Sequence, residues 1–110
     1  MDEEVIPVLR VSDAAAAASW YQRLGFAQEW EHRFEPGFPA FVSIARGAVR
    51  LFLSEHTGDA RPDTLICLRL RDLDAVAKEF SAAVEQMPWG PEVQLRDPDG
   101  NRLRIGTPAS

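Results

Sequence analysis

The sequence has little of the chemistry on which most enzymes rely. It contains one cysteine, Cys67, and two histidines, His32 and His56, in 110 residues. A single cysteine cannot pair within the chain, so no disulfide framework is expected and nothing points to an oxidising compartment. Cys67 lies inside the apolar run "LICLRL", where a thiol is expected to be a small buried hydrophobe. No Ser or Cys lies in a nucleophile turn, and His56 follows Glu55 without such a partner. No catalytic residue is therefore assigned. No apolar run approaches the roughly 18 residues that span a bilayer, so no membrane partner is expected. The start, "MDEEVIP", is acidic and lacks the basic segment of a signal peptide, which makes a cytoplasmic location the expectation. A basic excess is missing too. The net charge of −5 argues against a nucleic-acid partner.

What is present is enough for one core. With 45% apolar residues over 110 positions, a single domain spanning 1–110 is expected. "VIPVLRV" (Val5 to Val11) reads as a strand. Ser12 or Asp13 then caps a helix over "AAAAASWYQRL", which Gly25 ends. "FAQEWEHRF" reads as a strand with one wet face. "EPGFP" is a loop, and "AFVSIA" and "VRLFLS" form a hairpin about a turn at Arg46-Gly47. "EHTGDARPD" (Glu55 to Asp63) is a linker. Beyond it come a strand "TLICLRL", a helix "LDAVAKEFSAAVEQM" capped by Asp72, a turn "PWGP", and strands "EVQLR" and "RLRIG". The second helix places Leu73, Val76, Phe80 and Val84 on one stripe.

This order repeats. "LRVSD" (Leu9 to Asp13) returns as "LRLRD" (Leu68 to Asp72), 59 positions later, while "VRLFL" answers "NRLRI" at an offset of 52 from Leu51 to Leu103. The second half is thus about seven residues shorter, and one strand just after its helix is expected to be missing or vestigial. The fold class is α+β: two βαβββ-like modules form a curved mixed sheet with helices on the convex side. Module 1 covers about 4–54, the linker 55–63, and the shortened module 2 about 64–107.

Strand alternation then separates two faces. Val5, Pro7, Leu9 and Val11; Val49, Leu51 and Leu53; Ile66, Leu68 and Leu70; and Leu103 and Ile105 form an apolar face that belongs under the helices. The opposite face is mixed: Glu4, Ile6, Val8 and Arg10; Arg50, Phe52 and Ser54; Leu65, Cys67 and Arg69; and Arg102 and Arg104. An apolar surface with a few convergent polar groups is the default for small ligands.

"LRDPDGNRLRIG" invites a metal-loop reading, because Asp97, Asp99 and Asn101 alternate. The spacing rejects it. A calcium loop starting at Asp97 needs Gly at its sixth position and Glu at its twelfth, where this chain has Arg102 and Pro108. Pro98 presets φ and Gly100 accepts the left-handed conformation, so the stretch is a hairpin turn in which Asp97 binds the turn's own N–H groups.

"VLRVSD", "WYQRLGF", "RGAVRLFLS" and "RDPDGNRLRI", in this order, resemble the vicinal-oxygen-chelate superfamily, and within it the glyoxalase/bleomycin-resistance group. The resemblance covers about Val5 to Thr107. It implies paired βαβββ modules and a homodimer, often with both chains contributing to each cleft. Enzymes of the superfamily hold a divalent metal on the cleft face through His, Gln and Glu. Those positions correspond here to Ile6, Phe52, Leu65 and Arg104, three hydrocarbons and a cation. No metal and no cofactor are therefore expected. The resemblance then points to the drug-binding branch, whose members sequester a cationic glycopeptide such as bleomycin without catalysis. The alternative is a metal-dependent glyoxalase or dioxygenase with ligands from other positions; a third reading is a structural or regulatory dimer with a filled cleft.

The candidate ligand-binding residues are Phe52, Trp89, Arg50, Arg104, Leu65, Trp30 and Phe38. Aromatic rings would stack on planar groups of the ligand. Tyr21 is assigned to the core. The arginines of the mixed face are either paired with Glu4, Asp63 or a partner chain, or they meet an anionic ligand. Glu29, Glu31 and Glu35 are candidates for negative charge at a rim.

Overall fold

A computed structural model describes residues 3–108. Its elements are β1 (Val8–Arg10), α1 (Ala14–Gln22), β2 (Ala27–His32), β3 (Phe41–Arg46), β4 (Val49–Ser54), β5 (Leu65–Arg69), α2 (Leu73–Glu79), β6 (Glu85–Met87), β7 (Gly90–Arg96) and β8 (Arg102–Gly106). The order is βαβββ twice. Each module makes its own four-stranded mixed sheet, in the orders β1-β4-β3-β2 and β5-β8-β7-β6.

The repeat holds at the level of register. Leu9 of β1 lies beside Leu53 of β4 in parallel, and Leu68 of β5 lies beside Ile105 of β8 in parallel. The offsets of 59 and 52 carry the first pair onto the second. The predicted core face forms as expected over most of its length: Leu9, Val11, Leu51, Leu53, Leu68, Leu70, Leu103 and Ile105 are buried. One core cluster draws on both modules, with Ala14, Ala17, Ala18, Leu73, Val76 and Ala77 supplied by the helices. Val5 departs from expectation. It is 91% exposed, because pairing with β4 begins only where the Pro7 carbonyl accepts from the Phe52 N–H. The hairpin turn of module 1 is Gly47-Ala48 rather than Arg46-Gly47; Gly47 takes φ +57, as the first position of a II′ loop requires.

The second helix is shorter than its pattern predicts. It ends at Glu79, and Glu85–Met87 form β6, so the strand after the helix is present but only three residues long. The stop is a Schellman closure: Ala82 N–H donates to the Ala77 carbonyl at 2.8 Å and Ser81 N–H to that of Lys78 at 3.2 Å. Ser81 holds the left-handed position, at φ +50. The first helix closes in the same way, with Phe26 N–H to Tyr21 and Gly25 N–H to Gln22, and Gly25 at φ +88. Val84, expected on the helix stripe, instead packs half-buried against the core from the segment before β6.

Two clasps join the modules, in addition to an exposed contact in which Arg23 donates to the Glu79 carbonyl at 3.2 Å. The β7–β8 turn sends Asp97 to the Tyr21 hydroxyl of α1 at 2.9 Å and Asp99 to the Ser12 N–H at 2.8 Å. In return, Arg46 at the end of β3 donates to the Leu24 carbonyl and to Asp72, which starts α2, both at 2.7 Å. Between the clasps, Trp20 packs on Phe80 with ring centroids 5.1 Å apart.

Two stability measurements test these joints. Tyr21→Phe deletes a bond to a buried carboxylate and should cost about 1.5–3 kcal/mol in urea unfolding, with an unchanged m-value. Ser81→Gly should gain about 0.5–1 kcal/mol, because it relieves a left-handed non-glycine residue at some cost in backbone entropy. A loss of stability on that substitution would remove Ser81 as the reason the helix stops where it does.

Candidate functional site

Opposite the helices, each sheet leaves one face open. On module 1, β3 turns Phe41 and Ser43 to this face and β4 turns Arg50, Phe52 and Ser54 to it, while Val42, Ile44, Leu51 and Leu53 point into the core. β2 would follow in simple alternation but for a bulge. Its register skips between Gln28 and Trp30, so Glu29 and Trp30 both serve the open face. The result is an aromatic surface. Trp30 stacks on Phe41 at 6.1 Å with planes 14° apart and tilts against Phe52 at 5.5 Å; Phe41 meets Phe52 edge-on at 5.1 Å.

A polar cluster borders it. Glu29 accepts from Arg50 Nε at 2.7 Å and Nη2 at 3.1 Å and from the Ser43 hydroxyl at 2.7 Å, while Arg50 Nη1 reaches Glu4 at 2.7 Å. The Arg50 guanidinium, with help from Ser43, lowers the Glu29 pKa to about 2. Glu29 in turn raises that of Arg50. The expectation that these arginines meet carboxylates therefore holds for Arg50 with Glu4, and Asp63 lies 3.3 Å from Arg96 and 3.6 Å from Arg102.

On module 2, β5 presents Leu65, Cys67 and Arg69, β7 presents Glu92, Gln94 and Arg96, and β8 presents Arg102 and Arg104; Cys67 is exposed rather than buried, because alternation along β5 turns it away from the helices. Glu92 is buried and accepts from Arg104 Nε and Nη2, each at 3.1 Å, and from Gln94 at 3.1 Å. The Arg104 guanidinium holds the Glu92 carboxyl below the usual range although desolvation pushes the other way; Gln94 and Trp89 add to the lowering. Arg104 also lies 5.3 Å from the Trp89 ring, within cation–π range. Two open concavities share Arg104. One, of about 400 Å³, is lined by Cys67, Arg69, Trp89, Glu92 and Arg104 among others; the other, of about 360 Å³, by Leu65, Gln94, Arg96, Arg102 and Arg104 among others.

The candidate residues thus fall into two groups. Phe52, Trp30 and Arg50 come together on module 1; Arg104, Trp89 and Leu65 come together on module 2. Phe38 joins neither: it is 46% exposed on the loop after β2, where its carbonyl accepts from Arg33. Among the described residues no hydrogen bond, ion pair or aromatic contact links the two groups. Phe41, Ser43 and Glu92 were not singled out from the sequence. For Phe41 and Ser43 the signal was available, since in "AFVSIA" they alternate with the buried Val42 and Ile44. Glu92 lies on the open face of β7 two residues from Gln94, the register partner of Arg104.

A family model described as "Glyoxalase superfamily protein" matches residues 1–109. The chain belongs to the glyoxalase superfamily. Its fold is similar to that of a bleomycin-binding protein solved with bleomycin, at 26% identity over 98% of this chain and 100% of that one, with a TM-score of 0.75. It is similar to a bleomycin resistance determinant encoded on the transposon Tn5, at 26% identity over 98% and 100%, with a TM-score of 0.76. It is also similar to the bleomycin-binding protein of bleomycin-producing Streptomyces verticillus, solved with copper(II)-bleomycin, at 28% identity over 99% and 100%, with a TM-score of 0.71. No curated relative matches the chain.

The metal of the superfamily's enzymes does not fit these residues. At the corresponding positions Ile6, Phe52 and Leu65 offer no donor atom and Arg104 repels a cation. Among the described residues no three His, Cys, Asp or Glu side chains are grouped to hold one. No helix among them is long and apolar enough to cross a membrane.

The Glu29–Arg50 pair gives a pH prediction. A carboxyl held below its ordinary value of 4.5 contributes stability above that pH and loses it as the pH falls towards about 2. The difference in urea midpoint between the parent and Glu29→Gln should therefore be constant near neutrality and shrink from about pH 4.5 downwards. A difference independent of pH would show that the carboxylate is not specifically stabilised.

Proposed function

We propose that this protein is a non-catalytic small-molecule-binding protein of the bleomycin-resistance type, acting by sequestration as a cytoplasmic homodimer. The observation that carries the reading is the aromatic surface of Trp30, Phe41 and Phe52, which lies open on the face where the superfamily's enzymes place a metal ligand. Trp30 is 45% exposed and Trp89 66% exposed. Stable monomeric surfaces rarely leave such rings together in solvent, and planar ligands stack on them with roughly 0.5–1.5 kcal/mol per pair beyond burial. The likeness to bleomycin-binding proteins over nearly the whole chain supports the same reading.

Incompleteness of each open face supports the dimer. Each chain offers one aromatic half-face and one arginine-bearing half-face, and among the described residues no hydrogen bond, ion pair or aromatic contact links the candidate residues of one to those of the other. A second copy brings the module 1 face of one chain against the module 2 face of the other, enclosing a ligand that either face alone leaves in water. The enzyme reading lacks donor atoms. A filled cleft is disfavoured by the open concavities beside Arg104.

The test is tryptophan quenching, with the oligomeric state measured by sedimentation. Bleomycin or a plain planar probe such as 1-pyrenecarboxamide should quench saturably at micromolar concentration, and Trp30→Ala should weaken binding about tenfold or more. Silence with both ligands, or one tightly bound divalent ion per chain, would overturn the reading. A monomer at micromolar concentration would remove the shared cleft.

A further inference from the structure

The charge on the module 2 face bears on which ligand the cleft takes. Four arginines line its two concavities, Arg69, Arg96, Arg102 and Arg104, against one lining carboxylate, Glu92. Asp63 lies close enough to offset part of the Arg96 and Arg102 charge. The whole chain carries −5, so this face runs against the overall balance. A polycationic glycopeptide would meet repulsion here.

The geometry of Arg104 sharpens the point. Glu92 grips its guanidinium side-on through Nε and Nη2. Among the described residues Nη1 has no acceptor, nor does the Arg69 guanidinium on the neighbouring strand, and both residues line the 400 Å³ concavity. Trp89 lies against the same guanidinium with most of its ring exposed. A buried carboxylate thus fixes one donor group in place, a second guanidinium stands beside it, and a flat apolar ring adjoins both. That is a recognition set for a planar ring bearing an acid group: the ring lies on the indole while oxygen atoms accept from fixed, charged N–H groups.

We propose that the module 2 half of the cleft binds the carboxylate of a flat aromatic acid, with Arg104 and Arg69 taking the carboxylate and Trp89 the ring. This rests on the reading of the open faces as a ligand-binding cleft and specifies its charge preference. Glu92 is a positioning residue that holds Arg104.

Three probes of one shape test it by fluorescence anisotropy on the full chain: 1-pyrenecarboxylate, 1-pyrenecarboxamide and 1-pyrenemethylammonium. The carboxylate should bind at least fivefold more tightly than the amide and tenfold more tightly than the ammonium, with the margin shrinking in high salt. Arg69→Gln alters only an exposed side chain and should cut the carboxylate's advantage over the amide to about twofold or less; Arg104→Gln should do the same where circular dichroism shows it folded. Trp89→Ala should weaken all three. An equal or reversed order, an advantage untouched by Arg69→Gln in the folded protein, or no binding of any pyrene would overturn the proposal. If the order is reversed but Trp30→Ala still abolishes binding, the cleft stands and only its charge preference falls. If neither pyrenes nor bleomycin bind, the cleft reading falls with it.

Discussion

The Asp97 carboxylate is the joint on which the arrangement of the two modules depends. It is only 5% exposed and has four donors at 2.9 Å: the N–H groups of Asp99 and Asn101 on one oxygen, the Tyr21 hydroxyl and the Asn101 side-chain amide on the other. A buried carboxylate without partners costs several kcal/mol, so turn, helix and Asn101 must reach their places together. Asn101 extends the constraint by donating to the Arg10 carbonyl and accepting from the Thr64 N–H. One side chain thereby ties the end of β1, the entry to β5 and the β7–β8 turn. Burial, then the charge of Asp97, pushes the Tyr21 phenol far above its ordinary value, so the hydroxyl stays a donor throughout the physiological range. The second clasp, through Arg46, is a more exposed ion pair, and screening by water limits its worth.

Much of the fold was legible because it is written twice. Offsets between copies identify equivalent positions without any knowledge of contacts, and Leu9–Leu53 and Leu68–Ile105 show that the equivalence reaches strand register. The same logic locates the shortening. The offset is 59 where the helices begin and 56 between Gly25 and Ser81 where they close; it has fallen to 52 by the last strand. Three residues are therefore lost within the helix and four from the strands that follow. The end of α2 was not legible because its left-handed residue is a serine. Without a glycine there, Val84 continued the apolar period and disguised the chain's change to a strand. The role of "RDPDGN" as a turn was local and readable. Its bond to Tyr21, 76 positions away, was not.

The site was half legible for a similar reason. Alternation assigns faces wherever the period of two is unbroken, and it placed Arg50, Phe52, Leu65 and Arg104 on the open side. At the β2 bulge the period breaks, so Trp30 and Glu29 could not be assigned by counting. The bulge has a consequence for the site. It brings a ring and a carboxylate from one edge strand to the same face, which lets Glu29 hold Arg50 beside the aromatic surface rather than across it. Phe38 could not be located either, since a loop has no period from which to read a direction.

Net charge misleads about this molecule when it is taken as a property of either open face. A sum of −5 governs solubility and long-range steering. At physiological ionic strength the field of a distant side chain fades within roughly 8 Å, so a bound group responds to the few charges that surround it. On module 1 acid outweighs base, with the single guanidinium of Arg50 facing both Glu29 and Glu4. On module 2 the balance is reversed, because Glu92 is engaged by Arg104 while Arg69 stands apart from any acid among the described residues. The two half-faces therefore differ in chemistry although they descend from the same repeat: one is an aromatic floor edged with acid, the other a basic wall. Of the positions that correspond to the superfamily's metal donors, Ile6 and Phe52 on the first and Leu65 on the second are hydrocarbon, and the remaining one, Arg104, is a guanidinium that the fold holds in place through Glu92.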